Sequence, residues 1–276
     1  MALNGETRLI AHIGYPTTTF KSPLIYNPYL ERQGLNVAVV PFGVKAEDFD
    51  RSFAAITRMT NVMGALITMP HKVSIVPMLA QSTPAVQIAG SCNAVRWDGD
   101  GRLIGDLFDG EGFVRGMLRK GFNPGGARAF IVGAGGVGSA IAASLAASGL
   151  CALRLFDVHA ASAERLAGRL RQHYPSLDVE TGLNDPEGCD IVVNATPLGM
   201  KIGDPMPTEL SRIAPAAFVG EVVLRDEVTA FLAAAIEKGC PVQPGLDMLF
   251  EQIPAYLGFF GLPTATADDL RRYALV

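Results

Sequence analysis

The sequence predicts an α/β protein of two domains, a three-layer α/β domain and a doubly wound one. Three observations predict it. Short apolar runs of strand length alternate with segments of helical periodicity, the alternation starts afresh with a different composition near mid-chain, and 276 residues are enough for two modest domains. Strands that alternate with helices imply βαβ units and largely parallel sheets. Apolar residues make up 49% of the chain against 18% charged, a balance that excludes intrinsic disorder and supports a sizeable core.

Residues 8–13 form a short apolar strand that ends at Gly14-Tyr15-Pro16. Ser22-Pro23 then opens a helix, with serine as the cap and proline in the first turn. Residues 36–41 are a second strand. Residues 46–60 read as a helix because Phe49, Phe53 and Ile56 share one face at spacings of four and three. A third strand, 64–68, runs into Met69-Pro70-His71-Lys72, and the glycine-rich stretch 98–112 reads as a domain boundary. Beyond it, 128–132 is a strand and 137–148 an alanine-rich helix carrying Val137, Ile141 and Leu145 along one side. A strand at 151–156, a helix at 160–173, strands at 190–194 and 218–223 and a helix at 229–238 follow. A second boundary near Pro244-Gly245 sends the remaining residues back to the first domain as helices. The predicted domains are therefore 1–108 plus 246–276, and 109–245.

Composition excludes several classes of function. With 23 Lys and Arg against 27 Asp and Glu the net charge is −4, and no basic stripe points to nucleic acid. No apolar run approaches the roughly 18 residues of a membrane span. Residues 1–8 carry Glu6 and lack a hydrophobic signal core, so a cytoplasmic protein is expected, as monomer or homodimer. Cys92, Cys151, Cys189 and Cys240 lie far apart, and no His, Asp or Glu cluster has ligand spacing. Neither a metal site nor a disulfide framework is expected.

Gly133-Ala134-Gly135-Gly136-Val137-Gly138 matches G-x-G-x-x-G directly after an apolar strand and at the opening of a helix, the context in which that pattern carries information. Missing side chains let the backbone turn tightly and approach a pyrophosphate, whose charge the free amides and positive dipole of the helix start stabilise. A glycine-rich turn with no ligand is the alternative. Asp157 ends the next strand, 157 − 138 = 19 residues past the last glycine, near the spacing at which a carboxylate accepts from an adenosine ribose. That carboxylate would repel a 2′-phosphate, so NAD is expected over NADP. A helix N-cap is the other reading of Asp157.

A nicotinamide enzyme acting on an alcohol needs a group to take and return the hydroxyl proton. His12 sits in an apolar strand, His159 and His173 lie on or beside a polar helix, and His71 precedes Lys72 in a loop. Periodicity singles out none of them. Taken alone, Ser22 reads equally as a helix cap, Thr68 as a strand residue, Asn93 as a turn residue, Gln252 as a solvated helical residue and Met248 as a core methionine.

The motifs taken in order resemble the shikimate/quinate dehydrogenase family over nearly the whole chain. Ile13-Gly14-Tyr15-Pro16 with Lys21-Ser22-Pro23 is similar to its N-terminal substrate loop, and Thr68-Met69-Pro70-His71-Lys72 to its catalytic lysine loop. Asn93, Gly105-Asp106-Leu107-Phe108-Asp109-Gly110, the glycine loop, Asn194-Ala195-Thr196-Pro197-Leu198-Gly199-Met200 and Gly245-Leu246-Asp247-Met248-Leu249 with Gln252 follow in family order. The resemblance implies a Rossmann domain for NAD and a Lys72/Asp109 dyad in a cleft between the domains. It implies Ser22, Thr68, Asn93 and Gln252 as substrate ligands. Thr196 and Pro197 would line the cofactor, and Val222, Gly245 and Met248 would lie near the nicotinamide. The implied activity is hydride transfer between NAD and a cyclic hydroxy acid, of the type that converts 3-dehydroshikimate to shikimate in aromatic amino acid biosynthesis.

Several positions depart from the family pattern. Phe20 stands for the first serine of a Ser-x-Ser pair, Leu66 for an asparagine, Ala94 for a threonine, Leu107-Phe108 for Asn-Thr, Glu221 for an aspartate and Leu224 for a tyrosine. Each buried substrate hydroxyl left unpaired costs about 1–3 kcal/mol. A less polar cyclic hydroxy acid is the alternative substrate these changes suggest. A non-catalytic NAD-binding regulator, its pocket closed by Phe20 and Phe108, is the alternative from another class.

Overall fold

The computed structural model describes residues 3–224 and 228–276. The chain divides into two compact units. The first takes the chain up to Val86, Gly90–Phe108 and Ile253–Val276; the second takes Gln87–Ala89 and Asp109–Gln252.

In chain order the first unit begins with β1 (Arg8–Gly14), α1 (Ser22–Arg32), β2 (Val37–Gly43), α2 (Phe49–Ile56) and β3 (Val62–Ile67). β4 (Gln81–Ser82), α3 (Pro84–Ala89, its last three residues grouped with the second unit), β5 (Ala94–Trp97) and β6 (Leu103–Asp106) follow. The sheet order is β2-β1-β3-β5-β6-β4. β1 pairs in parallel with both β2 and β3, whereas β5 runs antiparallel to β3 and to β6. The sheet is therefore mixed. Phe49, Phe53 and Ile56 are all buried on the predicted stripe of α2, which stops at Ile56 and continues only as turns. Helix α1 opens at Ser22 with Pro23 in the first turn, but Lys21 occupies the cap and no side chain caps the helix, so Ser22 is not the cap expected of it.

The glycine-rich stretch from 98 contains the division between the two units, which falls between Phe108 and Asp109. Its first part is the tight β5–β6 turn, where Asp98 accepts from the amides of Asp100 and Arg102 at 2.9 Å each and Gly101 takes φ +75°. Its last part begins α4 (Asp109–Arg119), the first helix of the second unit. Helix propensity reads Gly110, Gly112 and Gly116 as breakers. Packing decides otherwise, because a Cβ on Gly110 would lie 2.0 Å from the Ala140 carbonyl oxygen and one on Gly116 2.6 Å from Gln243 Oε1.

The second unit continues through β7 (Arg128–Val132), α5 (Gly136–Ala147), β8 (Ala152–Phe156), α6 (Ala160–His173) and β9 (Asp178–Thr181). It ends with β10 (Ile191–Asn194), β11 (Phe218–Glu221), α7 (Ala230–Glu237), β12 (Val242–Gln243) and α8 (Gly245–Glu251). All strands pair in parallel in the order β12-β11-β10-β7-β8-β9, a doubly wound sheet whose order reverses between β7 and β10. Alternate residues feed two cores: Ile131 and Val193 pack with Ile141 and Phe113 on one face, Phe130 and Val192 with Phe231 and Leu232 on the other. Helix α8 stays with this unit, and α9 (Ile253–Phe259) and α10 (Ala267–Tyr273) return to the first. The return thus falls after Gln252, not at 246, since α8 packs on α4: a Cβ on Gly112 would lie 2.7 Å from the Met248 carbonyl oxygen.

Candidate active site

In the second unit the C-terminal ends of β7, β8 and β10 build one cradle. Gly133 takes φ +101°, and a Cβ there would lie 2.8 Å from the Ala195 carbonyl oxygen. A Cβ on Gly138 would lie 2.0 Å from the Gly133 carbonyl oxygen, so both positions require glycine. Gly135 and Gly136 are exposed, Gly135 faces open space, and no side chain caps the start of α5. Bare amides at a helix N-terminus beside room for a ligand fit a pyrophosphate. Ala134 is buried and Val137 half-buried at the mouth of this turn.

Asp157 sits just past β8 and is half-buried. Its Oδ2 accepts from the Ala134 amide at 2.7 Å and its Oδ1 from the His159 amide at 2.8 Å. The carboxylate therefore ties the glycine turn to β8. Its bond to an amide two residues on is a turn contact, while the helix cap itself falls on His159 without a side-chain bond. Thr196 is held by Asn194, whose Oδ1 accepts from its amide at 3.1 Å and its hydroxyl at 2.6 Å, and Thr196 Oγ1 accepts from the Leu198 amide. Pro197 is exposed beside it. Gly245 backs onto Val222 and Val223, where a Cβ would fall 2.4 Å from the Val223 carbonyl oxygen, and Met248 is buried in the core that Val222 also touches. Asp109 is buried at the start of α4. Gln252 lies against Gly112 of the same helix, its Oε1 buried without a hydrogen-bond partner.

Ser22, Thr68, Lys72 and Asn93 belong to the first unit. The Thr68 amide donates to Ile13 O at 2.9 Å and the Ile67 amide to Asn93 O at 2.8 Å, which brings the ends of β1 and β3 together with the start of β5. Gly14 leaves no room for a side chain, since a Cβ would lie 2.3 Å from Thr68 Cγ2 and 2.9 Å from Phe20 Cζ. Tyr15-Pro16 and Met69-Pro70 are cis, and the Tyr15 amide donates to Met69 O. His71 is buried, stacks on Phe49 at 4.2 Å and donates through Nε2 to Val44 O at 2.8 Å. It is a structural residue. Lys72 is half-buried and its carbonyl accepts from the Cys92 amide at 2.8 Å. Asn93 Oδ1 accepts from the Phe108 amide at 3.0 Å, while its Nδ2 is buried without a partner. The Phe108 ring packs edge-on against Tyr256 at 4.8 Å and Phe259 at 5.6 Å, which makes it part of the first unit's core.

Burial and the Lys72 charge push His12 down to about 4, so it is neutral near pH 7. Burial pushes the Cys92 thiol up to about 12 and leaves it inert. Glu221, at the end of β11, is raised to about 7 by burial against the opposing hydrogen bonds of Thr229 and Asn194. Periodicity singles out neither His12 nor Glu221; the signals were an ionisable residue in an apolar strand and, for Glu221, its place where the family pattern has an aspartate. Among the described residues no group of three or more His, Cys, Asp or Glu could hold a metal ion, and no helix is long and apolar enough to cross a membrane.

Residues 12–95 match the family model of the shikimate dehydrogenase substrate binding domain. The shikimate dehydrogenase (NADP(+)) of Geobacter metallireducens is 34% identical over 260 residues, covering 91% of this chain and 90% of that protein. Shikimate 5-dehydrogenase from Listeria monocytogenes, solved in complex with shikimate and NAD, is 26% identical with a TM-score of 0.91 over 99% of this chain and 98% of its own. Quinate dehydrogenase from Corynebacterium glutamicum, solved in complex with NAD, is 27% identical with a TM-score of 0.86 over 97% and 98%. These relatives take a nicotinamide dinucleotide; the Geobacter enzyme is named for NADP and both structures hold NAD, so they do not single out NAD as the sequence reading does. The likeness runs through both units, and the chain belongs to the shikimate dehydrogenase family.

Proposed function

We propose that this chain catalyses hydride transfer between a nicotinamide dinucleotide and a cyclic hydroxy acid of the shikimate/quinate class, with Lys72 and Asp109 as its proton-handling dyad. The observation that carries this reading is the match of residues 12–95 to a shikimate dehydrogenase substrate binding domain, a segment that contains Ser22, Thr68, Lys72 and Asn93. The nicotinamide supplies the hydride donor or acceptor. Amides of the Gly133–Gly138 turn and the positive end of α5 would hold its pyrophosphate, with Thr196, Pro197, Val222, Gly245 and Met248 along its length. Lys72 Nζ donates to the substrate oxygen and stabilises the negative charge that develops there. It gives that oxygen a proton in reduction and takes it back in oxidation, while the Asp109 carboxylate orients the ammonium. Ser22, Thr68, Asn93 and Gln252 hydrogen-bond the hydroxyls and carboxylate.

We read the cofactor as NAD. Asp157 puts a negative charge at the end of β8, where a 2′-phosphate would be repelled. The nearby cation Arg154 is committed elsewhere, donating to Glu180 at 3.3 Å and to Asp185 O at 2.6 Å. We also read the protein as cytoplasmic, which fractionation of the native cell checks, and as a monomer or homodimer, which sedimentation of the purified chain checks.

The test is a reduced-nicotinamide absorbance assay with shikimate and quinate, each with NAD and NADP, on the native protein, Lys72→Ala and Asp109→Asn. We expect kcat/KM with NAD to exceed that with NADP. Lys72→Ala should lower kcat by about 10²–10⁴-fold with the cofactor Kd unchanged. Undiminished turnover in Lys72→Ala would remove the dyad from the mechanism.

A further inference from the structure

The first unit holds a buried row of side chains across its sheet and, near it in sequence, two buried nitrogens that have no partner. His12 of β1 pairs in register with Leu66 of β3, and Leu66 with Ala94 of β5. In-register neighbours share a sheet face, so these three side chains form one row. Leu66 and Ala94 are buried and apolar. The Phe20 ring stacks on the His12 imidazole at 4.0 Å with 24° between planes, which fixes the imidazole orientation. The Lys72 charge lies near enough to His12 to oppose its protonation.

His12 is 6% exposed and its Nδ1 has no hydrogen-bond partner; Asn93 is 1% exposed and its Nδ2 has none. Native structures rarely leave such atoms unsatisfied, and a ligand group that pairs with them is one physical reason to do so. Asn93 is already among the expected substrate ligands. His12 is not.

We propose that His12 is a specificity-determining residue: its Nδ1 hydrogen-bonds one ring hydroxyl of the substrate, while Phe20 holds the imidazole and Leu66 and Ala94 offer an apolar floor to the rest of that ring face. The inference rests on the dehydrogenase reading above and deepens it. A cation beside a buried imidazole keeps the ring neutral, so Nδ1 is either a lone pair or a single N–H. A hydroxyl pairs with both, whereas a carboxylate pairs only with the N–H. The substrate class is therefore a cyclic acid with one hydroxyl directed at His12 and few polar groups elsewhere on that face.

The experiment compares kcat/KM for shikimate and quinate with that for their monodeoxy analogues, each lacking one ring hydroxyl other than the one oxidised, in native protein and in His12→Phe, which keeps the stack on Phe20 and removes the nitrogen. The native protein is expected to prefer the parent over one monodeoxy analogue by about tenfold or more. In His12→Phe that single preference should collapse toward unity while the others and the cofactor Kd stay unchanged. His12→Leu gives the same readout should His12→Phe fail to fold, and His12→Asn should restore part of the preference. Unchanged discrimination at every ring position in a folded His12→Phe or His12→Leu overturns the role of His12 and leaves the dehydrogenase reading standing. Absence of turnover by the native protein on every compound overturns both.

Discussion

Replacing Glu221 by glutamine tests how burial controls charge in the second unit. Glu221 is 1% exposed at the end of β11 and accepts from the Thr229 hydroxyl at 2.9 Å. Its carboxyl is raised to about 7 from an ordinary value of 4.5. Between those limits the folded chain keeps a proton that the unfolded chain has lost. Stability therefore falls as pH rises through this window, by about 1.4 kcal/mol per pH unit, and the loss is complete above the folded value. Summed over the window this amounts to roughly 3 kcal/mol. Glutamine keeps the shape and an acceptor for Thr229 but cannot ionise. Urea denaturation of native protein and Glu221→Gln at intervals from pH 4.5 to 8 should show the variant gaining about 3 kcal/mol relative to the native protein. Parallel stability curves, or a relative gain by the native protein with rising pH, would refute the reasoning.

Two further substitutions probe packing. Gly138→Ala places a methyl 2.0 Å from the Gly133 carbonyl oxygen, so the glycine turn must shift; cofactor titration should give a Kd at least about tenfold weaker, and an unchanged Kd counts against the cradle. Phe108→Ala empties the contact with Tyr256 and Phe259 and should cost about 3–5 kcal/mol in chemical denaturation; a loss below about 1 kcal/mol would mean the ring is not a core element.

Strands buried on both faces and helices with a clear stripe were legible in the sequence, because the burial that holds them together also sets their pattern. β7 and α6 fall on the residues expected of them, Arg128–Val132 and Ala160–His173. What escaped was set by tertiary contact. Helix α4 has no counterpart among the expected elements, because Gly110, Gly112 and Gly116 disfavour a helix until the backbone and side chains packed against them are known. β9 and β12 are edge strands, which carry weak apolar signals, and β12 has two residues. Within the candidate site, the glycine turn was readable because its geometry forbids side chains, a constraint written directly into residue type. Phe108 was expected on a substrate wall, yet its ring faces Tyr256 and Phe259 from a helix that joins the unit only near the end of the chain. His12 stands in the sequence only as a histidine in an apolar strand; its stacking partner Phe20 lies outside that strand, so no local pattern sets it above the other histidines.

The segment that bears Lys72 is anchored on several sides: Thr68 to β1, the His71 ring to Val44 and Phe49, and the Lys72 carbonyl to Cys92. An incoming molecule meets an ammonium whose main chain is already rigid, so little of its binding energy is diverted into ordering that loop. Loosening any one of these anchors, with every reacting group retained, should therefore slow turnover through poorer aim.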